Sequence, residues 1–175
     1  MSSTCLSMEI DQTWDGQSIG KDQVVHLLLE VVGDTLRLEV NAPFHDDPPP
    51  SGPPGATDRL WEHEVVEVFI AGAGREYIEI ELGPHGHHLV IQLQDIRQPS
   101  ASLIPIRYQA TPRAPRWTGQ AVIPPCLLPG GPHRINATAI HGCGPDRAYL
   151  SMVRLPGDTP DFHQPACFGL EASLI

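Results

Sequence analysis

An all-β antiparallel sandwich is the fold this sequence predicts, on three observations. Proline and glycine number 19 and 16 among 175 residues, which is too much punctuation for long helices but suits short strands and turns. Apolar and polar residues alternate with period 2 through most of the chain. The alternating segments come in pairs around turn sequences, the signature of hairpins.

Residues 1–175 are read as one domain, with 1–11 as a loose N-terminal segment. Val24 to Glu30 and Thr35 to Ala42 flank Gly33-Asp34 and form the first hairpin. Pro43 to Leu60 is a long loop stiffened by six prolines, and a structureless stretch of this length in a compact domain is usually functional or mobile. Val65 to Ala71 and Arg75 to Leu82 flank Gly72-Ala73-Gly74 as a second hairpin, and Gly83-Pro84-His85-Gly86 turns the chain into His88 to Gln94. Ile104 to Ala110 and Trp117 to Ile123 make a third hairpin across a Pro-rich turn. A short helical turn is expected around Pro124 to Leu128. Ile135 to His141 and Tyr149 to Val153 make a fourth hairpin, and Phe168 to Leu174 closes the chain. Ten short strands at this spacing read as a sandwich.

Composition excludes more functions than it names. The formal net charge of −10 is the wrong sign for a general nucleic-acid binder or an anionic membrane surface. No apolar run is long enough to span a bilayer and no signal-peptide pattern opens the chain, so the location expected is cytoplasmic. Cys5, Cys126, Cys143 and Cys167 form no CxxC pair and read as free thiols. Asn136-Ala137-Thr138 matches a glycosylation sequon but falls inside a strand. There is no P-loop, nucleophile elbow or dinucleotide fingerprint. His63-Glu64-Val65-Val66-Glu67 lacks the second histidine of a zinc-protease helix, and its paired valines favour a strand.

The informative segment runs from Leu60 to Leu82. Alternation places Val66, Val68 and Ile70 on one face with Ile78, Ile80 and Leu82. It places Glu67, Glu79 and Glu81 on the opposite face. Carboxylates sharing a face repel unless they are solvated, share a proton, or bind a cation or sugar hydroxyls.

Trp61-Glu62, Val66 to Ile70, and Tyr77 to Pro84 together resemble the carbohydrate-binding module family 9 fold of the DOMON-like type, a jelly-roll-like β-sandwich. Phe162 to Leu170 is similar to that family's terminal motif, an aromatic residue before a final Phe-Gly strand. More widely, Thr13 to Gly16, Ala42-Pro43-Phe44, Trp61 to Glu67, Glu81 to Gly86, Ala139 to Gly142 and Pro160 to His163 resemble a small family of uncharacterised proteins. The carbohydrate-binding resemblance implies a saccharide held between two aromatic rings, which match Trp61 and Phe162 here, with an acidic neighbour that matches Glu67. A cationic position of those sites falls near Glu79, which reverses the sign. A flat ring suits the apolar face of a sugar, and carboxylates restore hydrogen bonds to hydroxyls that lose water.

The ligand site expected from these residues is Trp61, Glu67, Glu79, His141, Phe162 and His163, taking a saccharide or similar small molecule. An alternative is a small metal-dependent enzyme, with His85, His141 or His163 as ligands or bases beside Glu67 or Glu79. Metal candidates are His85, His87, Glu81, Asp46 and Asp47, for calcium or zinc. His45-Asp46-Asp47 is also a candidate lid over Trp61. A protein-interaction domain, or an oligomer formed through edge strands, is a further alternative. The DOMON-like resemblance also implies haem ligation by Met and His, for which Met152 and His141 are the available pair.

Overall fold

A computed structural model describes residues 5–174. Two sheets pack face to face. The first contains β1 (Cys5–Ile10), β2 (Val25–Val32), β3 (Thr35–Pro43), β10 (Arg116–Ile123) and β9 (Arg107–Arg113), in that spatial order. The second runs β12 (Ala148–Ser151), β11 (His133–His141), β5 (Val65–Ala71), β6 (Tyr77–Leu82), β7 (His87–Asp95) and β4 (Gly55–Ala56). Two short strands, β13 (Leu170–Ala172) and β8 (Gln98–Ala101), pair with β11 and β7 respectively. All pairings are antiparallel except that of β4 with β7.

Alternation decides the core. Leu27, Leu29, Leu36, Leu38, Val40 and Trp117 of the first sheet meet Val66, Val68, Ile70, Ile78, Ile80 and Ile135 of the second. Their neighbours on the first sheet, such as Arg37, Glu39 and Gln120, face outward, as a half-buried strand requires.

The second sheet does not follow that rule, since every residue of β5 and β6 is buried. Its outer face carries a second apolar cluster in which Val65, Phe69, Tyr77, Leu89, Leu93 and Ile140 pack with Leu60, Leu155, Phe162 and Phe168. Irregular chain from 154 to 168 and a 3-10 turn at Leu60–Glu62 thus form a third layer.

The N-terminal segment is not loose from Cys5 onward. Leu6, Met8 and Ile10 alternate, and β1 pairs along its whole length with β2. The ten expected strands are present with shifted ends; β1, β4 and β8 add to them. The helical turn is a 3-10 segment at Pro125–Leu127. All four cysteines are free, and Asn136 is buried in β11, donating to Ser151 Oγ. Among the described residues, no helix is long and apolar enough to cross a membrane.

Candidate functional site

Strand register assembles the acidic face. Glu67 on β5 lies directly opposite Glu81 on β6, and Glu79 is paired with Phe69 two residues along, on the same face. Thr138 of β11 flanks Glu67 on its other side. One carboxylate oxygen from each glutamate lies within 4.8 Å of the others, and the residues are only 2 %, 4 % and 0 % exposed for Glu67, Glu79 and Glu81. The face is therefore not a solvated acidic surface.

Burial controls how these groups titrate. It pushes Glu67 up to about 7, against the opposing pull of the Thr138 hydrogen bond and the Arg147 charge. Glu79 is held well above the carboxylate range by burial and then by Glu67, with Arg97 opposing. Glu81 is raised in the same way by burial, Glu67 and Glu79. The Trp61 backbone N–H opposes this shift, but it falls short of hydrogen-bond geometry, and neither Glu81 oxygen has a hydrogen-bond partner.

Above the glutamates lies a cleft of about 520 Å³. Glu67 and Glu79 line its buried side. Trp61, 38 % exposed, stands at its rim, and Phe162 and Tyr149 border it edge to face, 6.2 Å between ring centroids. Arg147 fixes the turn that carries Trp61. Its guanidinium donates to the carbonyls of Trp61, Glu62 and Gly142 and lies over the Tyr149 ring. Arg97, in left-handed backbone conformation at the turn between β7 and β8, pairs with Asp161 at 2.8 Å, and both line the cleft.

His163 joins this group. Its Nδ1 lies 2.7 Å from Tyr77 Oη, which already accepts the Arg97 N–H; the phenol proton is then free to go to Nδ1. That arrangement leaves the imidazole proton on Nε2, which faces Glu79 Oε2 at 3.9 Å. Burial pulls His163 down to about 4, with Arg97 adding to the effect and Asp161 opposing it, so the ring is neutral at neutral pH.

Of the expected ligand residues, Trp61, Glu67, Glu79, Phe162 and His163 share the cleft. His141 does not line it. Its ring stacks on His45, with centroids 3.6 Å apart, and burial followed by the His45 and Arg147 charges pulls it down to about 4. The expected metal set is also split. Glu81 groups with Glu67 and Glu79, and among the described residues that is the one three-ligand cluster. His87 lies beside Gly52 of the long loop, and His85 packs edge-on against Phe44. The loop does not cover Trp61 with His45-Asp46-Asp47. The N–H groups of His45 and Asp47 donate to Glu64, and Asp47 Oδ2 accepts the Gly142 N–H. Met152 packs against the inter-sheet core while His141 stacks on His45, so the expected haem pair is not arranged as a ligand pair.

Sequence reading missed Thr138, Tyr77, Arg97, Arg147, Tyr149 and Asp161 as parts of this site. Thr138 was on the outer face of its own strand by alternation, but its pairing with Glu67 spans 71 positions and has no local signal.

The chain is 34% identical over 168 residues to the mouse UPF0462 protein C4orf33 homolog, covering 91% of this chain and 87% of that protein. The chain belongs to the UPF0462 family. The zebrafish homolog is 35% identical, and the human UPF0462 protein C4orf33 is 34% identical over 90% of this chain and 83% of its own length. No family profile matches the chain. In three dimensions, this member of the UPF0462 family is similar to a crystal structure from Bacteroides uniformis described as a "putative carbohydrate-binding protein". The TM-score is 0.71 at 18% identity, with 94% of this chain and 84% of that chain covered. At that identity the likeness is one of fold.

Proposed function

We propose that the chain is a ligand-binding sandwich of the carbohydrate-binding module family 9 kind, with DOMON-like architecture, that takes a saccharide or similar polyhydroxylated small molecule in the cleft beside Trp61 and Phe162. The observation that carries this reading is the combination within one cleft of an accessible aromatic ring, Trp61, with polar groups at its rim, Arg97 and Asp161, and on its buried side, Glu79 and His163. Trp61 offers an apolar face to the C–H side of a sugar ring, with the half-buried Tyr149 and the buried Phe162 lining the cleft beside it. Asp161, Arg97, His163 and Glu79 offer acceptors and donors to hydroxyls that leave water. The cleft's volume, about 520 Å³, falls within the roughly 300–1,000 Å³ usual for small-molecule sites. The description of the Bacteroides uniformis neighbour supports the same ligand class.

The test is a titration of the purified chain with mono- and disaccharides, followed by tryptophan fluorescence and amide NMR. A saturable response is expected, centred on residues 58–62 and 160–163. Trp61→Ala should weaken it about tenfold or more, the equivalent of at least ~1.4 kcal/mol. Because Trp61 is 38 % exposed, its removal leaves no core cavity and the variant should fold. Absence of saturable binding across the panel, or binding undiminished in Trp61→Ala, would overturn the reading.

A further inference from the structure

We propose that Glu67, Glu79 and Glu81 form a binding site for one hard divalent cation, of the calcium, magnesium or manganese class, on the buried side of the cleft. The geometry comes first. Two ligands of one ion can be no farther apart than twice the bond length, about 4.6–5.2 Å for calcium and ~4.2 Å for magnesium. The three carboxylate oxygens, all within 4.8 Å of one another, lie pair by pair inside the upper calcium limit. The donor set is carboxylate oxygen alone, without imidazole or thiolate, which selects hard cations over zinc.

Charge balance points the same way. Among the described residues, no lysine or arginine forms an ion pair with any of the three. Arg97 is committed to Asp161, and Arg147 to backbone carbonyls. Buried charges are ordinarily paired or bound to metal, because an unpaired one costs several kcal/mol in lost hydration.

Glu81 provides the independent observation. Its side chain is 0 % exposed, neither oxygen has a hydrogen-bond partner among the described residues although the Trp61 backbone N–H lies nearby, and one of those oxygens belongs to the cluster. Buried polar atoms almost always find a partner, and a carboxylate with neither oxygen bonded needs an account. A cation shared with Glu67 and Glu79 gives one. Thr138 supports it, since its hydroxyl donates to Glu67 Oε2 at 2.6 Å, an interaction that favours the ionised form an ion would need.

The site does not depend on the saccharide reading. An ion held by three carboxylates keeps open coordination positions, however, and one turned to the cleft would accept ligand hydroxyls. The experiment separates the two. The chelator-treated full chain is titrated calorimetrically with calcium, magnesium and manganese chlorides, and its thermal midpoint is recorded with and without each. One cation per chain is expected to bind with Kd tighter than ~1 mM, within the range of protein calcium sites, and to raise the midpoint.

Glu81→Gln keeps the side-chain volume, removes one charge and should weaken binding at least about tenfold. Glu67→Gln serves as the second variant should the first fail to fold. Trp61→Ala should bind the cation as wild type does, and a wild-type chain that takes up the cation but binds no sugar overturns only the saccharide reading. Failure of the wild-type chain to take up any of the three cations, as three carboxyls that merely share protons would do, overturns the cation site. Undiminished affinity in Glu81→Gln overturns it as well.

Discussion

Thr138 and Glu67 meet across β11 and β5 through a 2.6 Å hydrogen bond made where both residues are almost wholly buried, 0 % and 2 % exposed. The donor is neutral and the acceptor is drawn two ways. Burial favours its protonated form, pushing it to about 7, and the hydroxyl favours the ionised one. Replacing Thr138 by valine keeps the branched shape but removes the hydroxyl. The Glu67 midpoint should then move above about 7, and stability above neutral pH should fall by ~1–3 kcal/mol, the cost of stranding a buried acceptor. Carboxyl-selective NMR titration and urea denaturation read the two effects; an unmoved midpoint would mean that the hydroxyl does not govern Glu67. The carboxylate face was legible because period 2 fixes side-chain direction within one hairpin. Its partner was not, because 71 positions separate Thr138 from Glu67 and strand order is a tertiary fact.

Among elements, the long loop after β3 shows how a proline-rich stretch becomes ordered. The prolines at 48, 49, 50, 53 and 54 limit its freedom, but the fastening is chemical. Glu64, 5 % exposed, accepts the backbone N–H of His45 at 3.0 Å and of Asp47 at 3.3 Å, while Asp47 holds the Gly142 N–H. Glu64→Ala removes one acceptor for two amides. Amide exchange at His45 and Asp47 should accelerate with little change in the sheet core, and global stability should drop by about 1–3 kcal/mol. Equal protection of these amides in both proteins would count against this fastening. The sequence showed that the loop was long and stiff, but not where it was tied. The strands that escaped reading did so for separate reasons. β4 is two residues long and held by a parallel pairing, β8 is polar, exposed and contains Pro99, and β1 alternates correctly but lies in a segment read as loose.

At the scale of the whole molecule, two sheets and an irregular third layer place three glutamates in the interior, and this has consequences for stability against pH. Alternation predicted the inter-sheet core; it could not predict the cover over the outer face of β5 and β6, because residues 154–168 have no periodicity to read. Two opposing titrations follow from that cover. His141 and His163 fall from 6.5 to about 4 on folding, so between those values the unfolded chain binds more protons and stability rises with pH. Glu67 moves from 4.5 to about 7, and Glu79 and Glu81 move well above 4.5, so there the folded chain holds more protons and stability falls as pH rises. The groups facing Glu67 are Glu79 and Glu81 from β6, Thr138 from β11 and Arg147; His163 stands beside Glu79.

Below about 6.5 the two trends largely cancel. Above it, these histidines are neutral in both states and only the glutamates act. Stability of the chelated chain should therefore decline above about pH 6.5, by ~1.4 kcal/mol per pH unit for each carboxyl protonated only in the folded state. A cation bound by the ionised carboxylates stabilises the form that otherwise drives the decline, so saturating calcium should flatten the alkaline limb. Urea unfolding across pH about 5 to 9, with and without calcium, measures both curves. A flat alkaline limb in the chelated chain would show that the buried carboxyls do not retain protons in this fold. A decline that calcium leaves unchanged would separate the titration from cation binding and count against the metal site.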